Sequence, residues 1–432
     1  MSANLQKIDK AEERKPRKDF DVNLEALRGF LALFVVSSHT IGVHNRLFPE
    51  RANGIFTFQP PGHLSVLAFF IISGYVIGTT NKTKFTRSTI FPYINKRITR
   101  VYPLYLLSIL FALLTASKNY SWQVIAHNIS LTQVMFSEVI WENAPSWSLH
   151  YEMLFYIIFI FISAININPI ISLGASIVIG LLNFYAYPIL GPAVVTSYAF
   201  GFAFWSAGLV LAKFLRRKRE NTYGLLASNI FLFLTLYNFN TLQQLLTYRY
   251  RTLFHSDVIF INPREWFGTV ISFYDFAFLP YGILLVLNFT NKQYRFRKPI
   301  QFILQLIPAY GIYNFIRYTG YYSPKFTAVI IPIFTYLVSL ILLVYPKNFI
   351  EIISKKIIDL GKFLGSISYG IYIIHFPILQ LLRRNDFFTV SGLAFFPRFL
   401  TFLGVVMLVS FILERKFQPW VKSILQKRVA GV

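Results

Sequence analysis

Long apolar stretches alternate along the chain with short polar ones, most of them basic. The apolar runs fall near 24–43, 64–80, 98–116, 147–166, 168–187, 194–215, 222–240, 267–290, 299–319, 325–345, 364–382 and 393–413. A helix needs roughly 20 apolar residues to cross the hydrocarbon layer, and most of these runs approach that length. The pattern therefore predicts an all-α, polytopic integral membrane bundle of ten to twelve transmembrane helices. The first run is too long for a signal-peptide core and no small-residue cleavage pattern follows it, so it is expected to remain as a span. Residues 1–23 read as a basic arm ending in Arg14, Lys15, Arg17 and Lys18, residues 24–415 as the membrane domain, and 416–432 as a basic tail.

Charge orients the bundle. With the N-terminus in the cytosol, the inner segments 14–18, 82–100, 213–220, 292–298, 347–362 and 415–428 hold about 28 Lys and Arg, against about nine in the outer segments. Both termini are then cytosolic, which requires an even number of spans. Twelve satisfies every loop. Ten also fits if two runs between 222 and 345 are re-entrant or interfacial, the run at 299–319 being the weakest because it contains Pro308 and Arg317. Trp122, Trp141, Trp147 and Trp266 fall on the proposed outer side, where aromatic belts are expected.

Composition narrows the function. Of 432 residues, 55% are hydrophobic and only 14% charged, and the mean hydropathy is +0.52, which leaves little chain for a separate soluble domain. The absence of cysteine excludes a disulfide scaffold, a thiol nucleophile, an iron–sulfur centre and any cysteine zinc site. The net charge of +24 sits beside apolar runs, so it points to the bilayer surface and not to nucleic acid.

Ionisable residues inside apolar runs are costly unless paired or facing a wet cavity, and they mark candidate chemistry. Arg28 and His39 lie eleven residues apart in LEALRGFLALFVVSSH, within about 20° of three whole turns and so on one helix face, separated by roughly 16 Å of rise. Arg28 then lies near the cytosolic headgroups, where it can snorkel to phosphate or pair with Glu25, while His39 lies past mid-membrane towards the outer side. Arg97 and Arg100 open the third run on one face, either as an anchor or as a pair of guanidinium forks suited to phosphate oxygens. Glu152 stands about five residues into its run, placed to pair with a buried cation, to bind a polar substrate, or simply to face the interface. Ser73 adds a small polar group to the Gly74-x-x-x-Gly78 packing face. Tyr369, Tyr372 and His375 recur at i, i+3 and i+6 as a polar stripe, and Asp275 stands alone in ISFYDFAFL. No histidine pair has metal-ligand spacing, His39 and His44 lying on different faces, so no metal is expected. No phosphate-binding glycine loop is present either.

Five of these segments in order resemble the membrane-bound acyltransferase-3 family: Arg28-x10-His39, FFIISGYVIG, Arg97-x-x-Arg100, WSLxxExxFY from Trp147 to Tyr156, and SYGIYIIH from Ser368 to His375. The resemblance spans roughly residues 24–415. It implies transfer of an acyl group, usually acetyl, from cytosolic acyl-coenzyme A to a hydroxyl of an extracytoplasmic or lipid-linked glycan, with acetyl-coenzyme A as donor and no metal. By matching position, His39 is the catalytic base, and Arg28 with Arg97 and Arg100 belongs to acyl-coenzyme A binding. Glu152, Tyr369 and His375 also match family positions. Glu152 joins His39 as a catalytic candidate, orienting its imidazole or holding the acceptor. Ser73, Asp275, Tyr369 and His375 are substrate-binding candidates. Many members have about ten spans, and some carry a fused hydrolase-like domain that has no counterpart here.

The physical reading is consistent with this: a polyanionic coenzyme needs cations at the cytosolic mouth, and a histidine near neutral pKa suits removal of a proton from an attacking sugar hydroxyl. The expected partners are acyl-coenzyme A, a glycan or lipid-linked saccharide acceptor and the bilayer, in a bacterial inner membrane. Two other classes share some features. A lipid-linked oligosaccharide flippase or secondary transporter would also have many spans and buried charges, although transporters usually show internal repeats, which are absent. A lipid-phosphate glycosyltransferase would need acidic residues near an outer loop, for which Asp257 with Glu265 is thin support.

Overall fold

The computed structural model describes residues 22–41, 47, 58–185, 193–215, 220–254, 270–319, 324–345, 348–384 and 395–430. Arg14, Lys15, Arg17, Lys18, His44, Asp257, Glu265 and Trp266 lie outside them. Among the described residues there is no strand, and seventeen α-helices follow one another: α1 (Val22–Thr40), α2 (Gly62–Thr80), α3 (Arg87–Leu114), α4 (Trp122–Ile129), α5 (Gln133–Phe136), α6 (Trp147–Ala164), α7 (Pro169–Tyr185), α8 (Ala193–Phe214), α9 (Tyr223–Phe239), α10 (Thr241–Phe254), α11 (Leu279–Phe289), α12 (Arg297–Thr319), α13 (Ile330–Val344), α14 (Asn348–Gly365), α15 (Ser368–Arg383), α16 (Phe395–Ile412) and α17 (Gln418–Ala430). Each apolar run coincides with a helix. Seven described helices are long and apolar enough to cross a membrane, and an eighth is counted if the bent pair α14 and α15 forms one span.

Four segments refine the hydropathy pattern. α3 begins at Arg87, because Thr86 and Thr89 form a reciprocal capping box. Arg97 and Arg100 therefore sit roughly 15–20 Å along a helix instead of at its mouth. The stretch 347–362, expected as an inner loop, contains most of amphipathic α14, which meets α15 at a 71° bend. The run at 267–290 is described from 270, as a short 3₁₀ segment Phe273–Phe278 leading into α11. α12 runs unbroken through Pro308 to Thr319.

α1 carries Glu25, Arg28 and His39, which dilute its hydropathy, but its neighbours enclose it: Leu27, Leu31, Ala32 and Val36 are wholly buried. Such charges meet protein and not lipid. Close approach of backbones fixes its position. A Cβ on Gly29 would overlap the Gly361 carbonyl and the Gly365 amide of α14, and a Cβ on Gly62 of α2 would overlap the Ser38 hydroxyl. The Gly74–Gly78 face of α2 packs on α8 in the same way, Gly74 against the Trp205 carbonyl and Gly208 of α8 against the Ile71 carbonyl. This is the small-residue packing expected where hydrocarbon offers no hydrophobic drive between helices. Elsewhere buried polar groups join the helices: Gln305 of α12 donates to Ser228 of α9 at 3.3 Å and to Ser339 of α13 at 3.1 Å, and Asn288 of α11 donates to Gln301 at 3.1 Å.

Candidate active site

At the C-terminal end of α1 the His39 ring lies nearly parallel to that of His375 on α15, at 15° and 5.2 Å between centroids, with Nδ1 of His39 2.9 Å from Nε2 of His375. On the other side of the His375 ring, Nδ1 is 2.7 Å from the Tyr372 carbonyl oxygen and 3.2 Å from that of Ile371. A carbonyl only accepts, so Nδ1 of His375 carries a hydrogen. With that ring neutral, its Nε2 is an acceptor and Nδ1 of His39 must donate. The lone pair of a neutral His39 is thereby assigned to Nε2. A backbone carbonyl thus sets the tautomer of the first ring, and the first ring sets that of the second. Phe376 stands edge-on to His39 at 5.2 Å, and His375 has no exposed surface.

A second polar group lies between α2, α3, α6 and α8. Glu152 accepts hydrogen bonds from Ser73 Oγ at 2.8 Å and from the Tyr156 hydroxyl, and Trp205 Nε1 donates to Ser73 Oγ at 3.3 Å. Arg97 is 4% exposed. Its guanidinium lies over the rings of Tyr93 at 5.5 Å and Tyr156 at 5.6 Å, and its Nε has no hydrogen-bond partner. Arg97 forms no salt bridge with a carboxylate among the described residues. Arg100 shares the electrostatic field at Tyr156. Arg28 pairs with Glu25 at 2.9 Å, and both Arg28 and Arg100 lie within electrostatic reach of Glu414, which accepts the Gly370 amide at 3.0 Å. Three arginines thus gather near the α14–α15 bend, and the histidine pair lies at the other end of α1.

A family model described as an acyltransferase domain matches residues 21–307. The chain belongs to the acyltransferase-3 family. The acyltransferase MdmB of Streptomyces mycarofaciens is 28% identical over 150 residues, a match covering 32% of this chain and 38% of that protein. The chain therefore spans well under half the length of this relative. No solved structure matches. Membership, with the apolar helices, makes the protein a multi-pass membrane protein of that family.

For this acyltransferase-3 protein the structure joins some of the expected site residues and separates others. His39 and His375 meet directly, and the residue orienting His39 is His375 and not Glu152, whose carboxylate is taken up by Ser73 and Tyr156. The stripe on α15 ties that helix to three neighbours: Tyr369 donates to the Val101 carbonyl of α3 at 2.7 Å, Tyr372 bonds Ser148 of α6 at 2.6 Å, and His375 meets α1. Asp275 caps its own 3₁₀ segment through the Ser272 amide at 2.8 Å and accepts from His63 Nε2 at 3.0 Å, so it is engaged structurally. No local pattern marks His63, Ser148 or Trp205, whose partners lie 212, 224 and 132 residues away, whereas Tyr156 lies four residues from Glu152, within its motif. Among the described residues no group of three or more metal-ligating side chains is found.

Proposed function

We propose that the protein is an O-acyltransferase that moves an acyl group, acetyl, from acyl-coenzyme A to a hydroxyl of a cell-surface or lipid-linked glycan. The single observation that carries this reading is the carbonyl–His375–His39 relay, which leaves His39 Nε2 as a base at one end of α1 while Arg28, Arg97 and Arg100 gather towards the other. The acceptor O–H gives its proton to His39 Nε2 as the oxygen attacks the thioester carbonyl. The C–S bond then breaks, and the departing thiolate takes the proton back from the imidazolium to give free coenzyme A. During the step the His39 charge is shared through Nδ1–H to His375. The buried guanidinium of Arg97, lacking a carboxylate partner among the described residues, suits a coenzyme phosphate better than a structural role, since an unpaired buried charge is costly. Placing both termini and the arginine end at the cytosolic face of a bacterial inner membrane agrees with the distribution of Lys and Arg.

The test is incorporation of label from radiolabelled acetyl-coenzyme A into glycan by membranes holding wild type or His39→Ala. Label entering glycan with wild type alone supports the reading. No label with any acceptor, alongside uptake of lipid-linked oligosaccharide, would replace it with transport.

A further inference from the structure

In the first turn of α2, His63 directs Nε2 at Oδ1 of Asp275, 3.0 Å away, and Oδ2 of the same carboxylate accepts the Ser272 amide at 2.8 Å. A carboxylate only accepts, so Nε2 of His63 carries a hydrogen, and the lone pair of the neutral ring lies at Nδ1. The two partners differ in cover: the imidazole side chain is 31% exposed and the carboxylate side chain 7%. A buried acid thus holds a more open ring in one tautomer and leaves that ring with an acceptor to offer.

Packing does not call for this pair. The 3₁₀ segment Phe273–Phe278 is already fixed by the Ser272–Asp275 cap and by the Ile271 amide, which donates to Ser197 of α8 at 2.9 Å. Ties between helices elsewhere use neutral groups, as at Gln305 and Ser228, whereas an ionisable pair inside a membrane domain is costly and marks chemistry. Its place matters as well. Gly62 precedes His63 and Ser38 precedes His39, and a Cβ on Gly62 would overlap the Ser38 hydroxyl. Chain geometry then puts the Cα atoms of His39 and His63 within about 13 Å of each other. His39 is held through Nδ1 by His375, and His63 through Nε2 by Asp275. A saccharide unit carries several hydroxyls across a gap of this order, so one hydroxyl can meet His39 while another meets His63.

We propose that His63, positioned by Asp275, is an acceptor-binding residue: its Nδ1 takes a hydrogen bond from a sugar hydroxyl other than the one that attacks at His39, and so selects which hydroxyl is acylated. This step rests on the glycan O-acyltransfer reading above. Its test uses the full chain in nanodiscs. Saturation-transfer NMR without donor compares the methyl glycosides of glucose, galactose and mannose with their monodeoxyfluoro analogues, in which fluorine fills the place of a hydroxyl but donates no hydrogen bond. His63→Gln keeps a donor to Asp275 at the place of Nε2 and removes the acceptor at Nδ1. Asp275→Asn keeps an acceptor for the Ser272 amide, while its Nδ2 donates to His63 Nε2 and so moves the ring hydrogen to Nδ1. Thermal unfolding midpoints of both should match wild type. Expected is a preference of wild type for hydroxyl over fluorine at one ring position of about tenfold, lost in both variants. With labelled acetyl-coenzyme A, both variants should raise the KM of the preferred glycoside about tenfold, leave that of acetyl-coenzyme A unchanged and spread the acetyl group over more than one hydroxyl, none of which a purely structural pair would do. A preference equal in wild type and both variants, or binding of none of the glycosides to wild type, overturns the assignment. If wild type transfers label with an acceptor KM and product unmoved by the variants, the role of His63 falls and acyl transfer stands. If the preference depends on His63 yet wild type never transfers label, acyl transfer falls and sugar binding at His63 stands.

Discussion

Replacing His375 tests the relay more sharply than replacing His39, because it alters the orientation of the base without removing it. In His375→Leu the Nδ1–H of His39 loses its acceptor at 2.9 Å. Both tautomers of His39 become accessible, and the imidazolium formed during transfer loses a hydrogen-bond partner in a site shielded by Phe376. A buried donor left unpaired costs about 1–3 kcal/mol, which corresponds to a fall in turnover of roughly 5- to 150-fold at 1.36 kcal/mol per decade. The coenzyme phosphates are proposed to bind at the other end of α1, so KM for acyl-coenzyme A should stay unchanged. In His375→Gln the side-chain Oε1 takes the place of Nε2 as acceptor, and most of the turnover should return. The assay is steady-state transfer of labelled acetyl from acetyl-coenzyme A in proteoliposomes, each variant normalised to folded protein by size exclusion. Wild-type turnover in His375→Leu would refute the relay. A His375→Gln variant as inactive as His375→Leu would show that His375 fills space and does not orient His39.

Three further perturbations separate packing from chemistry. Gly74→Ala and Gly208→Ala place a methyl group on backbone carbonyls of Trp205 and Ile71, so each should cost about 1–3 kcal/mol in detergent unfolding, whereas Gly174→Ala and Gly404→Ala, with nothing within 4 Å of the added carbon, should not; equal losses at all four would disprove the contact argument. Glu152→Gln keeps an acceptor for Ser73 and Tyr156 and should fold as wild type, while Glu152→Leu strands those hydroxyls at about 1–3 kcal/mol each, a contrast read from thermal unfolding midpoints. Arg97→Lys loses the planar fork between Tyr93 and Tyr156, so KM for acyl-coenzyme A should rise about tenfold with kcat nearly unchanged; an unmoved KM in both Arg97→Lys and Arg97→Ala would remove Arg97 from donor binding.

The helices were largely legible in the sequence, because a bilayer-length apolar run has few other fates. The Gly74–Gly78 face was legible too, as small residues four apart need a partner that comes close, and Gly208 is one such partner. Hydropathy could not locate the start of α3, which depends on the Thr86–Thr89 cap, nor show that 347–362 folds as amphipathic α14, whose apolar face is defined by packing on α1. Within the site, the depth of His39 and the spacing of Tyr369, Tyr372 and His375 were visible separately. Their meeting was not, since the two histidines are 336 residues apart and no local pattern registers one helix against another at that distance. Nor does any local pattern mark His63, whose carboxylate partner, Asp275, is 212 residues away.

Close contact at both ends of α1 bears on the proposal that this helix holds chemistry at two places. Near Arg28 it lies on Gly361 and Gly365, and beside His39 it lies on Gly62. Neither contact leaves room for a Cβ, so sliding α1 along its axis would drive backbone into backbone at Gly361 and Gly365 and the Ser38 side chain into Gly62. The separation between Arg28 and His39, roughly 16 Å of helical rise, is therefore a fixed length. A donor anchored by its phosphates near Arg28, Arg97 and Arg100 can present its thioester to His39 only if its arm spans that length. A fixed reach of this kind selects an extended donor by geometry, and it holds the base in place by packing before any substrate arrives.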